Sequence, residues 1–421
     1  MSKIPLNEFI TLQRGFDLPS NKRISGSVPV VASTGIAGYH NEIKVKAPGV
    51  VIGRSGSIGG GQYIEKDFFP LNTTLYVKDF KGHYPRFIYY LLKSIDFTSF
   101  NVGTGVPTLN RNHLSSILIS DLGIEKEKEI ANILGSLDQK IQLNTQINQT
   151  LEQIAQALFK SWFVDFDPAR AKVQALSDGM SLKQAELAAM QAISGKTPEE
   201  LTALSQTQPE RYSELAETAK AFPCEMVEVD GVEVPKGWEV KALDEIANYQ
   251  NGLALQKFRP EDDEPFLPVV KIAQLRQGYA DGDEKAKANI KPECIIDNGD
   301  VIFSWSGSLL VDIWCGGKAA LNQHLFKVSS KEYPKWFYYF YTKHHLTEFQ
   351  RIAYDKAVTM GHIKREHLSA AKCIVPNDEL LANKTLENIL EKIIFNRLEN
   401  FNLQNTRDLL LPRLLNGELN G

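Results

Sequence analysis

From Ile130 to Trp162 an apolar residue returns every three or four positions: Ile130, Leu134, Leu137, Ile141, Ile147, Leu151, Ile154, Leu158 and Trp162. That period lays one apolar stripe along a helix. Within 125–163 the only Gly or Pro is Gly135, and a single Gly costs about 1 kcal/mol against Ala, too little to end so regular a helix. At about 1.5 Å per residue the helix is roughly 55 Å long, more than an ordinary globular helix needs. Its middle turns place Gln142, Asn144, Gln146, Asn148 and Gln149 on or beside the stripe.

The pattern returns over Asn383–Glu418. A shift of 256 residues lays Leu134 on Leu390, Leu137 on Ile393, Asn144 on Asn400, Ile147 on Leu403 and Leu158 on Leu414. Two amphipathic helices with polar residues at matching stripe positions form a parallel or antiparallel pair whose register those residues set. Asn144, Asn148, Asn400 and Gln404 are the expected register residues. Arg397 and Arg407 stand where the first helix has Ile141 and Leu151, which argues against a continuous dry seam.

A repeated helix prompts a search for a repeat in what precedes it. Leu6-Asn7-Glu8-Phe9-Ile10 with Gly15 matches Leu243-Asp244-Glu245-Ile246-Ala247 with Gly252, and Val28-Pro29-Val30-Val31 matches Leu267-Pro268-Val269-Val270. Gly49-Val50-Val51-Ile52 with Ser55-Gly56-Ser57 matches Gly299-Asp300-Val301-Ile302 with Ser306-Gly307-Ser308. Leu71-Asn72 matches Leu321-Asn322, Tyr84-Pro85-Arg86-Phe87 matches Tyr333-Pro334-Lys335-Trp336, and His113-Leu114-Ser115 matches His367-Leu368-Ser369. Each anchor is weak alone, but their common order makes the chain two copies of a globular domain followed by a long helix. The expected layout is a first domain at 1–122, a helix at 123–164, an insertion at 165–233, a second domain at 234–378 and a second helix at 379–421.

The fold class is α+β. Short apolar runs between Gly, Pro, Asn and Ser clusters read as strands of a small, mostly antiparallel core: 28–31, 50–53 and 75–77 in the first copy, 267–270, 301–303 and 326–328 in the second. Residues 85–94 and 335–350 read as helices, so their aromatic runs (Tyr89-Tyr90 and Tyr338-Tyr339-Phe340) read as core in preference to base-stacking platforms. In the insertion, Thr197-Pro198-Glu199-Glu200 reads as an N-cap with a capping box, and Ser181 opens another helix.

The formal charge of −4 is unevenly spread. Residues 1–120 hold 13 Lys/Arg against 7 Asp/Glu, whereas residues 174–245 hold 6 against 14, so a polyanion partner suits only the first region. Four cysteines without a CxxC pair suit reduced thiols. The opening Met-Ser-Lys-Ile-Pro-Leu-Asn-Glu lacks the apolar core of a signal peptide. A cytoplasmic protein is expected.

The motifs GVVIGRSGS (49–57) and GDVIFSWSGS (299–308), the entry Ile130-Ala131-Asn132-Ile133-Leu134, the segment 156–163 and Pro235-Lys236-Gly237-Trp238-Glu239-Val240 carry a resemblance. The chain resembles the specificity subunit of type I restriction–modification systems over nearly its whole length, the acidic insertion being the least diagnostic part. The resemblance implies two target-recognition domains, each reading one half of a split DNA site. It also implies a coiled-coil spacer that fixes the unread gap and docks methyltransferase subunits. S-adenosylmethionine, ATP and Mg would then be bound by partner subunits, the methyltransferase and a restriction translocase, and no cofactor by this chain.

The residues fit a non-catalytic chain. An amino-methyltransferase tetrad (Asn-Pro-Pro-Tyr or Asp-Pro-Pro-Tyr) is missing, Gly316-Gly317-Lys318 lacks the rest of a phosphate loop, and the eight histidines form no zinc-ligand pattern. Base reading needs forked or planar groups, whereas phosphate contacts come from Lys, Arg, Ser, Thr and amides. Loops rich in these types nominate Arg54, Ser55, Ser57, Thr108, Asn110 and Arg111 in the first domain. They nominate Ser306, Ser308, Gln323, Thr359, His362, Lys364 and Arg365 in the second. The Ser-Gly-Ser turns recur in both domains and read equally as structural turns. Arg111 and Arg365 occupy matching positions, which favours phosphate clamping over base choice. A two-domain protein-interaction adaptor without nucleic acid fits the repeat and helices equally well by pattern; the basic first domain and the Arg/Asn/Thr loops favour DNA.

Overall fold

A computed structural model describes residues 3–101, 107–355 and 361–417, the side chains of Arg111, His113 and Ser115 excepted. The chain divides into two compact units, residues 1–143 with 400–421, and residues 144–399. Each contains one globular domain and a stretch of both long helices.

In the first unit a four-stranded antiparallel sheet is built from β1 (Thr11–Arg14), β2 (Gly49–Gly53), β3 (Gly59–Ile64) and β4 (Thr74–Asp79), in the order β1-β4-β2-β3. The helix α1 (Pro85–Ser94) lays Phe87, Ile88, Leu91 and Leu92 into the core beneath it. A smaller sheet pairs Val28–Ala32 in parallel with Phe69–Pro70. Gly15 is fixed by close approach, since a Cβ there would lie 2.2 Å from the Leu71 carbonyl oxygen. Gly252 faces the Leu321 carbonyl oxygen in the same way, at 2.3 Å.

The predicted long helix is continuous: α2 spans Ile124–Phe163. In the first unit its residues Ile130, Ala131 and Leu134 join the domain core together with Leu411, Leu414 and Leu415 from the far end of the chain. Glu127, fully buried, accepts from the Tyr84 backbone N–H at 2.8 Å and pairs with His83 Nδ1 at 2.6 Å.

The insertion forms four helices, α3 (Asp167–Ser177), α4 (Leu182–Ser194), α5 (Pro198–Thr207) and α6 (Pro209–Ala221). Their own small core contains Ala189, Met190, Leu201, Leu204 and Ala219. The Thr197 capping box is present: its hydroxyl accepts from the Glu200 N–H, and the Glu200 carboxylate accepts from the Thr197 N–H.

The second domain repeats the sheet with β5 (Asn248–Asn251), β6 (Val301–Ser304), β7 (Leu310–Ile313) and β8 (Leu325–Ser329), ordered β5-β8-β6-β7. The helix α7 (Lys335–Asp355) buries Trp336, Phe337 and Tyr338 to Tyr341. These aromatic runs are core, and burial pushes the Tyr338 phenol up to about 12.

The second long helix, α8, spans Lys384–Leu415. Within each unit it runs antiparallel to α2. In the second unit, Asn144 Nδ2 donates to Glu399 at 2.6 Å, Asn396 Nδ2 to Asn148 Oδ1 at 2.8 Å, and Asn148 Nδ2 to the Ile393 carbonyl at 3.1 Å. In the first, Asn400 Nδ2 donates to the Ile141 carbonyl at 3.3 Å and Arg407 meets Asp138 at 2.7 Å. Partner numbers fall as α2 is climbed, which settles the direction left open by pattern. Gln404, expected at the register, is exposed, and the buried residue that bonds Asn148 is Asn396. An amide buried without a partner costs several kcal/mol in an apolar seam, so pairing these groups selects one alignment.

The two arginines that interrupt the stripe are fasteners. Arg397 donates to Asp312 at 2.7 Å and to the Ile313 carbonyl at 3.0 Å, tying α8 to β7. Asp138 accepts from both Arg407 and, at 2.7 Å, the Tyr90 hydroxyl, joining α2, α8 and α1 within one unit. Removing a shared charged acceptor leaves two donors unpaired. Asp138→Ala should therefore lower the unfolding free energy by about 2–3 kcal/mol, read by urea denaturation, whereas the exposed Asp262→Ala should stay within about 0.5 kcal/mol.

Candidate DNA interface

In the antiparallel ladder β1 and β2 both pair with β4, so they run in the same direction and their carboxyl ends lie at one edge of the sheet. That edge carries Arg14, the last residue of β1, and Arg54, which follows β2. The chain then turns through Ser55-Gly56-Ser57. The Arg54 N–H donates to the Thr73 carbonyl at 2.8 Å, the Leu109 N–H to the Arg54 carbonyl at 2.8 Å, and the Gly56 N–H to the Pro107 carbonyl at 3.0 Å. Ser55 thereby bridges Thr108.

The second domain reproduces each bond. The Trp305 N–H donates to the His324 carbonyl at 3.4 Å, the Ile363 N–H to the Trp305 carbonyl at 3.0 Å, and the Gly307 N–H to the Gly361 carbonyl at 2.8 Å. Ser306 bridges His362. Gly56 and Gly307 both have positive φ, +83° and +65°, a conformation a side chain disfavours. The Ser-Gly-Ser segment is therefore the same hydrogen-bonded turn in both domains.

These bonds also correct the alignment of the repeats. The Asn72 N–H donates to the Phe16 carbonyl, and the residue that does so to Leu253 is Gln323. The Leu71 N–H donates to Val31, and its counterpart donating to Val270 is Asn322. Gln323 thus stands in the place of Asn72 and His324 in that of Thr73, one position away from the pairing suggested by the two Leu-Asn dipeptides. The ladder already places Ile302 in the position of Val51 and Phe303 in that of Ile52, so the two copies stay in step through this stretch and the Leu-Asn dipeptides recur one position out of it.

On this shared frame the nominated side chains fall into three groups. Arg54, Thr108 and Asn110 line one groove of about 670 Å³ with Gln13, Arg14 and Asp17. Asn110 also accepts from the Asn112 N–H at 3.0 Å, capping the short helix that follows. In the second domain Ser306 is buried, and its Oγ shares a 2.9 Å hydrogen bond with His324 Nδ1. Gln323 Nε2 lies 3.4 Å from His324 Nε2, and the Trp305 ring sits 5.9 Å from His324 and 6.4 Å from His362. Ser57, Ser308 and Lys364 are exposed, with Lys364 3.5 Å from Glu366. Thr359 and the Arg111 side chain lie outside the described residues.

Arg365 also makes contacts within the domain. Its Nη2 donates to the Tyr249 carbonyl at 3.0 Å and its guanidinium lies 5.6 Å from the Phe326 ring centroid. Those contacts tie the exposed Arg365 to β5 and β8 and leave most of its N–H donors unspent. Sequence reading missed Gln13 and Arg14, which sit in a β-strand, and Trp305, whose indole N–H donates to the Gln323 carbonyl at 3.2 Å.

Among the described residues His83, Asp121 and Glu127 bring ligand-type atoms within 4.8 Å of one another. Both Glu127 oxygens are already engaged, by His83 and by Tyr84, in holding α2 to the first domain. No helix among the described residues is long and apolar enough to cross a membrane.

Comparison with known proteins agrees with this doubled frame. The family model for the type I restriction modification DNA specificity domain matches residues 1–153 and again residues 235–407. The chain belongs to the type I DNA specificity family. It is 41% identical over 392 residues to the type I restriction enzyme HindI specificity subunit of Haemophilus influenzae, across 86% of this chain and 84% of the relative. It is 25% identical to the MjaIX specificity subunit of Methanocaldococcus jannaschii, across 80% and 70% respectively. The crystal structure of a type I S subunit from M. genitalium superposes with a TM-score of 0.52 at 14% identity, over 98% of this chain and 95% of that one, a likeness of fold. The insertion falls between the two family matches.

The bracing role of Arg365 has a measurable consequence. Arg365→Ala should cost about 1–2 kcal/mol of stability, from one charge-assisted hydrogen bond and one cation–π contact, seen in chemical denaturation. The slope of log binding constant against log salt for DNA tests the remaining donors: an unchanged slope confines Arg365 to the brace, and a slope reduced by about 1 assigns it a phosphate contact as well.

Proposed function

We propose that this chain is the DNA-reading, non-catalytic subunit of a type I restriction–modification complex. The observation that carries the reading is one hydrogen-bonded frame occurring twice, with different polar side chains at its edge. A reader of a split sequence needs two sites of one architecture and unlike chemistry. Arg54 faces the place of Trp305, Thr73 that of His324, Asn72 that of Gln323, and Thr108 that of His362. These positions, with Asn110 in the first domain and Ser306 and Lys364 in the second, are the proposed base and phosphate contacts.

Residues 1–122 and 234–378 serve as target-recognition domains in this reading, and residues 123–164 and 379–421 as the paired spacer that sets the unread gap. Two methyltransferase subunits dock on the helices and domain flanks and bring S-adenosylmethionine; a restriction translocase brings ATP and Mg. The complex works on cytoplasmic DNA. The chain supplies recognition and leaves chemistry to its partners. Support comes from the family match over both repeats, the relative at 41% identity and the basic first domain.

Affinity purification from the native host, paired with methylation-aware sequencing, tests this directly. A methyltransferase should co-purify, and deleting the chain should erase one split adenine-methylation motif. An unchanged methylome without a methyltransferase partner would favour the adaptor.

A further inference from the structure

The two sheet edges share a backbone but not a charge. Residues 234–378 hold 19 Lys/Arg and 19 Asp/Glu, against the excess of six cations in residues 1–120. Part of the difference falls where the frame presents side chains. In the ladder Arg14 and Ile52 both pair with Leu75, while Asn251 and Phe303 both pair with Phe326. Asn251 therefore occupies the position of Arg14, as Trp305 occupies that of Arg54. Gly15 and Gly252 fix this correspondence, each followed two residues on by Asp17 or Ala254.

Both arginines of the first domain line the same groove, and a common scaffold orients them. Asn72 Nδ2 donates to Asp17; Asp17 lies 3.5 Å from an Arg14 Nη; and Arg54 Nη1 reaches the Asn72 carbonyl at 3.4 Å. Each guanidinium has five N–H donors, and one long contact apiece occupies little of that capacity. Half of the Arg14 side chain is accessible, 51%. Two forks held over one groove with most donors unspent suit planar acceptors presented in pairs, and guanine offers such a pair, O6 and N7, in the major groove. The second domain offers Asn251, Trp305, Gln323 and His324 at the corresponding edge, with no arginine among them.

We infer that Arg14 and Arg54 read guanine in one half of the split site, whereas the half read by the second domain is recognised without an arginine fork. The inference rests on the DNA-reading function proposed above. It separates two roles that charge alone leaves merged, because a lysine can hold a phosphate but presents a flexible point charge in place of the rigid planar fork.

The test uses the full-length chain with its co-purified partners. Wild-type protein first defines the split motif through the methylome; absence of any split motif would overturn the DNA-reading function and this inference with it. Given a motif, Arg54→Lys, Arg54→Ala and Arg14→Ala are compared on duplexes that carry or lack each guanine of the motif. The expected result for Arg54→Ala and Arg14→Ala is a loss of about 10- to 100-fold in discrimination at a guanine of one half only, and for Arg54→Lys a smaller loss at the same guanine with more of the non-specific affinity kept than in Arg54→Ala. The alanine variants should relax the same half and leave the other half intact. Uniform weakening on every duplex, with base preference retained, would assign the arginines to phosphate and overturn the inference. So would a motif whose affected half contains no guanine on either strand.

Discussion

Asn144, Asn148 and Asn396 carry carboxamides into the seam between the two long helices, and the alignment of those helices follows from where those groups find partners. A seam of hydrocarbon alone tolerates sliding by whole turns, because one apolar side chain replaces another at small cost. An amide moved by one turn loses its hydrogen bond and stays buried, which is a far larger penalty. Asn144 with Glu399 and Asn148 with Asn396 and Ile393 are satisfied together in one register. Polar residues at seam positions specify register at some expense of stability.

The domains are then fastened to the helices by charge and by aromatic packing. In the first unit Asp138 collects Tyr90 and Arg407, and Glu127 holds His83 and Tyr84. In the second, Arg397 grips Asp312 while Phe159, Trp162 and Phe163 enter the same core as Trp336 to Tyr341. Each sheet edge is thus carried on a braced support, and side chains there can vary without disturbing the fold. Shared backbone bonds keep the edge; Arg54 or Trp305, Asn72 or Gln323, give it its chemistry.

Much of this was readable in the residues. The apolar period announced α2 and α8, and the ordered anchors announced the doubled domain, because both signals are local. What escaped were properties set across the chain. The repeat pairs positions at a constant difference, 256, which singled out Gln404 as the match of Asn148; antiparallel helices pair positions at a nearly constant sum, which brings Asn396 there instead. The bond of Arg365 to the Tyr249 carbonyl was not legible, because that acceptor lies 116 residues away. The one-residue offset between the edges was hidden by a Leu-Asn dipeptide that recurs beside the true match. Arg14 was overlooked because it belongs to a strand, and only the parallel run of β1 and β2 shows that it shares an edge with Arg54.

In the proposed function one chain reads two DNA segments at a spacing fixed by its paired helices. The most direct measurement is binding of the assembled complex to a duplex series in which the unread gap is lengthened or shortened one base pair at a time, with both half-sites intact. Tight binding is expected at a single gap length, or at most two neighbouring ones, with a fall to the affinity of a lone half-site elsewhere, since each base pair adds about 3.4 Å along the duplex. Affinity indifferent to gap length would contradict it.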